Sequence, residues 1–168
     1  DITSSKQTEL ENKQLNSAIQ ELPSPVLIWD KNDKLILGND EAKKRFQKFS
    51  GNKLDKTLTR QKMTHNAIYK GHILPPNGIT KKEFLDIRNK EYANLKGNQT
   101  FQNIHNNGKI NIVSATKLSD GGMLQFFTDI TEIKKKEAEL ERLKKGIDIL
   151  PNGLMFWDKN DFLIAHNQ

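Results

Sequence analysis

Apolar residues in this chain come in short runs between polar turns, and their spacing switches between two and three-to-four along its length. From Ser4 to Leu22 the chain is polar, with Leu10, Leu15, Ile19 and Leu22 toward one side, and Pro23 and Pro25 break the segment. Val26 to Trp29 and Leu35 to Leu37 are apolar runs around the turn Asp30-Lys31-Asn32-Asp33, which predicts a hairpin. Asn39 or Asp40 can cap a short helix with Ala42, Phe46 and Phe49 on one face, ended by Ser50-Gly51-Asn52. A second helix is predicted from Leu54 to Tyr69, where Leu54, Leu58, His65 and Ile68 share a face. Gly71 to Gly78, with Pro75-Pro76 and Asn77-Gly78, reads as a loop. Thr80 and Glu83 form a T-x-x-E capping box opening a third helix through Phe84, Leu85, Arg88, Tyr92 and Leu95, closed by Gly97.

The remainder alternates as strands do. Thr100 to His105, Lys109 to Leu118 (with Ile110 and Ile112 alternating) and Met123 to Thr128 are separated by Asn106-Asn107-Gly108 and by Ser119-Asp120-Gly121-Gly122. The order of two strands, three helices and three strands implies one antiparallel sheet with helices on one face, an α+β arrangement.

The chain also repeats itself. Asp1 to Asp40 aligns on Asp129 to Gln168 without a gap, and nearly half of the aligned positions are identical. Trp29-Asp30-Lys31-Asn32-Asp33 recurs as Trp157-Asp158-Lys159-Asn160-Asp161, and Asp1-Ile2-Thr3 as Asp129-Ile130-Thr131. One full unit is therefore expected, with the tail of a previous unit before it and the head of the next behind.

The second copy of the connector, Asp129 to Leu150, is the clearer helix. Asp129 and Glu132 have capping-box spacing. Ile133, Leu140 and Ile147 are heptad a positions, with Leu143 and Leu150 at d and Lys136 in the remaining d. Isolated helices of this length are marginal in water, so a partner helix is expected. The first copy is poorer at the matching positions, with Ser5, Thr8 and Asn12.

Composition narrows the function classes. The chain of 168 residues is 35% hydrophobic, low for a compact globule and fitting one modest core between charged helices. It has no Cys, which excludes disulfides, thiolate metal sites and thiol catalysis and fits the cytoplasm. No apolar run approaches the roughly 20 residues of a membrane span. The net charge of +6 is spread along the chain among acidic residues, so neither nucleic acid nor a membrane surface is an expected partner.

Together the hairpin, the helix start Gly38-Asn39-Asp40-Glu41-Ala42, the helical middle and the meander through Asp120-Gly121-Gly122 into Asp129-Ile130-Thr131 resemble a PAS domain. The stretch from Asn106 to Glu141 is similar to the second half of PAS modules in bacterial sensor histidine kinases. The resemblance implies a five-stranded sheet in the order 2-1-5-4-3, a cleft between sheet and helices, and dimerisation through flanking coiled-coil helices. It divides the chain into 1–20, the tail of a preceding repeat and a connecting helix; 21–130, the PAS domain; 131–150, a signalling helix; and 151–168, the start of a second PAS domain. Asp129, Ile130, Thr131 and Glu132 become the signal-relay residues. The implied partners are a second copy of the chain and an output domain further along it. A nucleotide or cyclic-dinucleotide cyclase is an alternative output, and a non-sensory dimerisation module a third reading.

PAS domains hold flavin, haem, small metabolites or nothing, and this sequence specifies no cofactor. Flavin adducts and thioether chromophores need Cys. Haem-binding members of the family use an axial His, imidazole being a good iron ligand, and His65 is the one His on an expected apolar helix face; a lone half-buried His is more often a hydrogen-bonded rim residue, so haem is not expected. Trp29, His65 and Ile68 are candidate cleft-lining residues. His72, His105 and His166 read as surface residues without metal-ligand spacing, and Asp30, Asp33, Asp158 and Asp161 as turn formers. No nucleophile elbow, phosphate-binding glycine loop or zinc-protease motif occurs, so these residues are expected to catalyse nothing.

Overall fold

A computed structural model describes the backbone of residues 2–50 and 54–166 and the side chains of 6–47 and 54–166; Phe49, expected on the apolar face of the first short helix, has its side chain outside that range. The elements are α1 (Ile2–Glu21), β1 (Val26–Trp29), β2 (Leu35–Gly38), α2 (Asp40–Ser50), α3 (Arg60–Tyr69), β3 (Ile73–Leu74), α4 (Lys81–Ala93), β4 (Asn98–His105), β5 (Ile110–Lys117), β6 (Met123–Asp129), α5 (Thr131–Asp148), β7 (Met155–Trp157) and β8 (Leu163–His166). They divide into two compact units, Asp1–Asp129 and Ile130–Gln168.

In the first unit one antiparallel sheet runs β2-β1-β6-β5-β4-β3. The expected five strands are there in the expected order, and a sixth is added at the edge. β3 lies in the segment read as a loop; Ile73 and Leu74 pair with His105 and Ile104, and two residues are too few to show a period.

Strand alternation decides what faces the helices. Leu27, Trp29, Phe101, Val113, Ala115 and Phe127 point inward and pack with Phe46 of α2, Met63 and Ala67 of α3 and Tyr92 of α4. Polar residues keep the same parity, since Asn103, Asn111 and Gln125 are buried as well. Ile110 and Ile112, half-buried, fall on the opposite face, where Ile36, Ile104 and Phe126 are exposed.

Two local devices fix the helices. Asn39, fully buried, joins three elements. Its Oδ1 accepts from Ala42 N, capping α2, and from Val26 N of β1, both at 2.9 Å, while its Nδ2 donates to Ser24 O at 2.9 Å and to Ile19 O at the end of α1 at 3.3 Å. Thr80 and Glu83 form the expected capping box at the start of α4, and those hydrogen bonds hold the Glu83 carboxyl below its ordinary range.

The predicted helix from Leu54 to Tyr69 is two pieces. Residues 58–60 pair with the hairpin instead: Leu35 N donates to Leu58 O at 2.9 Å and Arg60 N to Asp33 O at 3.0 Å. α3 therefore starts at Arg60, with the Thr59 side chain accepting from Lys62 N. Leu54 and Leu58 are not on it, and its buried side is Arg60, Met63, Ala67 and Ile68.

The hairpin's turn is tight. Asp30 Oδ1 accepts from Asn32 N and Lys34 N at 2.8 and 2.9 Å, and Asp33 takes a positive φ of 67°, which Asp tolerates better than most residues. The second unit repeats this: Asp158 Oδ1 accepts from Asn160 N and Phe162 N, Asp161 has φ 62°, and both hairpins shift register just before the Trp. Across the sheet Gly122 is required, because a Cβ there would lie 2.5 Å from Trp29 O, an immobile backbone atom.

In the second unit α5 has no buried residue. It ends at Asp148, so Leu150, the last expected seam position, lies beyond the helix. The expected capping box is also displaced. Asp129 is still paired opposite Asn111 in the sheet, and Ile130 takes the N-cap place with no side-chain cap bond. Glu132 then stands at the second helical position and bonds Lys135 at 2.9 Å.

Candidate functional site

Between the helices and the inner face of the sheet lies a cavity of about 30 Å³. Ile68 and Ala67 of α3, Phe84 and Tyr92 of α4, and Phe46 of α2 form its apolar side; Asn103, His105, Asn111 and Gln125 form its polar side on β4, β5 and β6. A volume of that size admits roughly one water. No porphyrin or flavin fits without the helices moving.

A hydrogen-bonded chain runs past the cavity. Trp29 Nε1 donates to Gln125 Oε1 at 2.6 Å, and Gln125 Nε2 donates to Tyr92 Oη at 2.9 Å. The Arg60 guanidinium lies 4.3 Å from the centre of the Tyr92 ring, and its Nε donates to Asp33 Oδ1 at 2.7 Å. The chain thus links the hairpin turn, α3, α4, β6 and β1. Burial raises the Tyr92 pKa and keeps the phenol neutral. The Asp33 carboxylate read as a turn former therefore also anchors a buried arginine.

Arg88 does line the cavity, and its donors are already engaged by Glu91 Oε2 at 2.9 Å, Asn103 Oδ1 at 3.0 Å and Gln102 O at 3.2 Å. Its guanidinium also sits over Phe101 at 4.9 Å. Held so fully, it serves as a strut between α4 and β4.

Of the three residues expected at the cleft, only Ile68 lines it. Trp29 is fully buried and reaches the cavity through Gln125. His65 is exposed and stacks on Tyr69 with ring centroids 4.4 Å apart. With α3 beginning at Arg60, two residues past Met63 is roughly 200° around the helix, which puts His65 on the solvent side. It cannot serve as an axial ligand in the cleft.

His105, expected at the surface, is the histidine that lines the cavity. It follows Phe101 and Asn103 on the inward parity of β4, a signal already present in the alternation. Asn111 Nδ2 and His105 Nε2 are 2.9 Å apart, and Asn111 Oδ1 is buried without a hydrogen-bond partner. Burial first, then the Arg45 guanidinium, holds the imidazole below its ordinary pKa, against the pull of the His72 backbone and the Asp129 carboxylate. A base depressed in the folded state takes its proton more readily when unfolded. Stability is therefore full above the ordinary imidazole range and falls as pH drops below it. In His105→Gln the decline of Tm between about pH 7 and pH 5 should flatten; a parent-like profile in that variant would place the titrating group elsewhere.

The strand order, the helices between β2 and β4, and the closing strand β6 set between β1 and β5 match the arrangement that the PAS resemblance implies. The fold is PAS-like. Solved structures similar to this PAS-like chain include the PAS domain of an HTR-like protein from Haloarcula marismortui, 14% identical, covering 77% of this chain and 100% of that one at a TM-score of 0.44. The PAS domain of BvgS from Bordetella pertussis is 17% identical, covering 85% and 99% at 0.44. A PAS domain from a two-component sensor histidine kinase is 19% identical, covering 73% and 98% at 0.38. No family model matches the sequence, and no curated protein matches it. Among the described residues no cluster of three His, Cys, Asp or Glu is placed to hold a metal, and no helix is long and apolar enough to cross a membrane.

Proposed function

We propose that this chain is a sensory or relay module of a signalling protein, pairing with a second copy through its flanking helices and passing a rearrangement of the sheet to an output domain on the same polypeptide. The observation that carries the reading is α5. Ile133, Leu140 and Leu143 recur at a and d spacing and are 57%, 66% and 61% exposed, a stripe whose burial against a like helix would be favourable. The helix follows β6, a strand inside the sheet, with only Ile130 between them. A change in β6 thus has no loop in which to dissipate. Asp129, Ile130, Thr131 and Glu132 are the proposed relay residues, and Ile147 completes the stripe.

A sensor histidine kinase is the proposed output. It rests on the sequence resemblance from Asn106 to Glu141 and places the module in the cytoplasm, in keeping with a chain that lacks Cys. The module's own role is conformational, without chemistry of its own.

Light scattering on the purified chain tests the pairing. The parent is expected at dimer mass and Leu140→Lys/Leu143→Lys at half of it, with the Tm of the first unit unchanged. A parent that stays monomeric at about 100 μM, where weak but specific pairing still registers, would sink the proposal.

A further inference from the structure

We infer that a polar pocket at the β4–β5 turn is a binding site for a small oxyanion, a carboxylate or a phosphoryl group. The pocket is a half-open cleft of about 430 Å³, and its walls include Lys44 and Arg45 of α2, His72 before β3, His105 and Lys109 around the turn, and Asn111 of β5. Three of these are permanent cations, and no Asp or Glu is among the lining residues.

Arg45 Nη1 is buried and has no hydrogen-bond partner. A buried guanidinium N–H without an acceptor is costly; Arg45 as a whole is only partly buried and lines the pocket, so a turn of its side chain toward an oxyanion there would remove that cost with a charge-assisted bond. The lysines can turn to the same ligand. Lys44 Nζ is 3.7 Å from Glu41 Oε2 and Lys109 Nζ 3.5 Å from Asp129 Oδ2, and exposed pairs at such distances are weak. The contrast with Arg88 is direct, since its donors are bonded within the protein and Arg45 Nη1 is not.

The site is placed to matter. His105 and Asn111 line both this pocket and the core cavity, so a ligand here touches the wall of the PAS-like core. It would also compete with Asp129, the last residue of β6, for Lys109. That coupling rests on the relay reading above, whereas binding itself does not.

The test is titration of the purified chain with inorganic phosphate and, separately, succinate, at constant ionic strength in a phosphate-free buffer, followed by amide NMR. Saturable shifts are expected at Arg45, His105, Lys109 and Asn111. Arg45→Gln should weaken binding about tenfold or more, as the loss of a charge-assisted bond implies. Lys109→Gln, at an exposed position, should weaken it less and serves if the Arg45 variant does not fold. Saturation by phosphate alone assigns the phosphoryl class, by succinate alone the carboxylate class, and by both a general oxyanion site. Shifts that merely follow ionic strength, or equal affinity in parent and both variants, overturn the inference. Such a failure leaves the dimer measurement untouched, and a monomeric parent leaves the titration valid.

Discussion

Trp29→Ala is expected to destabilise the first unit by about 3–5 kcal/mol, the usual cost of emptying a large buried aromatic site. Trp29 is 0% exposed and sits in the main core cluster between sheet and helices. Removing it also strands Gln125 Oε1, which accepts from the indole at 2.6 Å. Trp29→Phe separates the two contributions: most of the volume stays, the hydrogen bond goes, and about 1–3 kcal/mol is expected from the unpartnered buried amide. The repeat supplies an internal control. Trp157 stands at the same place in the same five-residue motif but is 55% exposed, so Trp157→Ala should stay within about 0.5 kcal/mol, as surface changes do. Urea denaturation followed by circular dichroism measures all three. Equal losses for Trp29→Ala and Trp157→Ala would show that burial is not what holds the hairpin.

What was legible in the sequence was what local chemistry decides. The hairpin turns need only their own Asp carboxylates, the box at Thr80 and Glu83 closes over three residues, and strands of seven or eight residues show their period. The misses come from tertiary pairing. Nothing within Leu54 to Tyr69 says that Leu58 and Arg60 bond to Leu35 and Asp33, yet those bonds delay the start of α3 and turn His65 outward. The polar side of the cavity is hidden in the sequence for another reason. Asn103, Asn111 and Gln125 share parity with Phe101, Val113 and Phe127, but a polar residue inside a sheet is tolerated only when partners satisfy it. Of those partners, Arg88, Trp29 and Tyr92 lie 15 to 96 residues away in sequence, and His105 is brought beside Asn111 only by the register of the β4–β5 hairpin. Parity alone identifies the inward face; only the fold shows which partners the polar residues on it find, and that Asn111 Oδ1 finds none.

The second large effect rests on the relay proposed for α5: if the helix passes a signal, transfer should depend on helical register. Ile133, Leu140 and Ile147 repeat at heptad spacing with Leu143 between, within a helix from Thr131 to Asp148. A pair of such helices transmits a rotation or shift only while the stripe on each side of any insertion stays aligned, because packed interfaces move between discrete arrangements. Seven residues inserted after Glu139 restore the seam, since the insertion is one heptad. Two residues turn everything beyond by roughly 200°, at about 100° per residue, and carry Leu143 and Ile147 away from the partner. On the proposed relay reading, in a longer protein that carries this module and an output domain, the seven-residue variant should keep output regulated, and the two-residue variant should lock or lose it. Light scattering on both adds a second readout, because only the two-residue insertion should weaken pairing. Equal regulation in the two variants would make α5 a passive tether, and the route from β6 to the output would then have to run through another surface of the sheet.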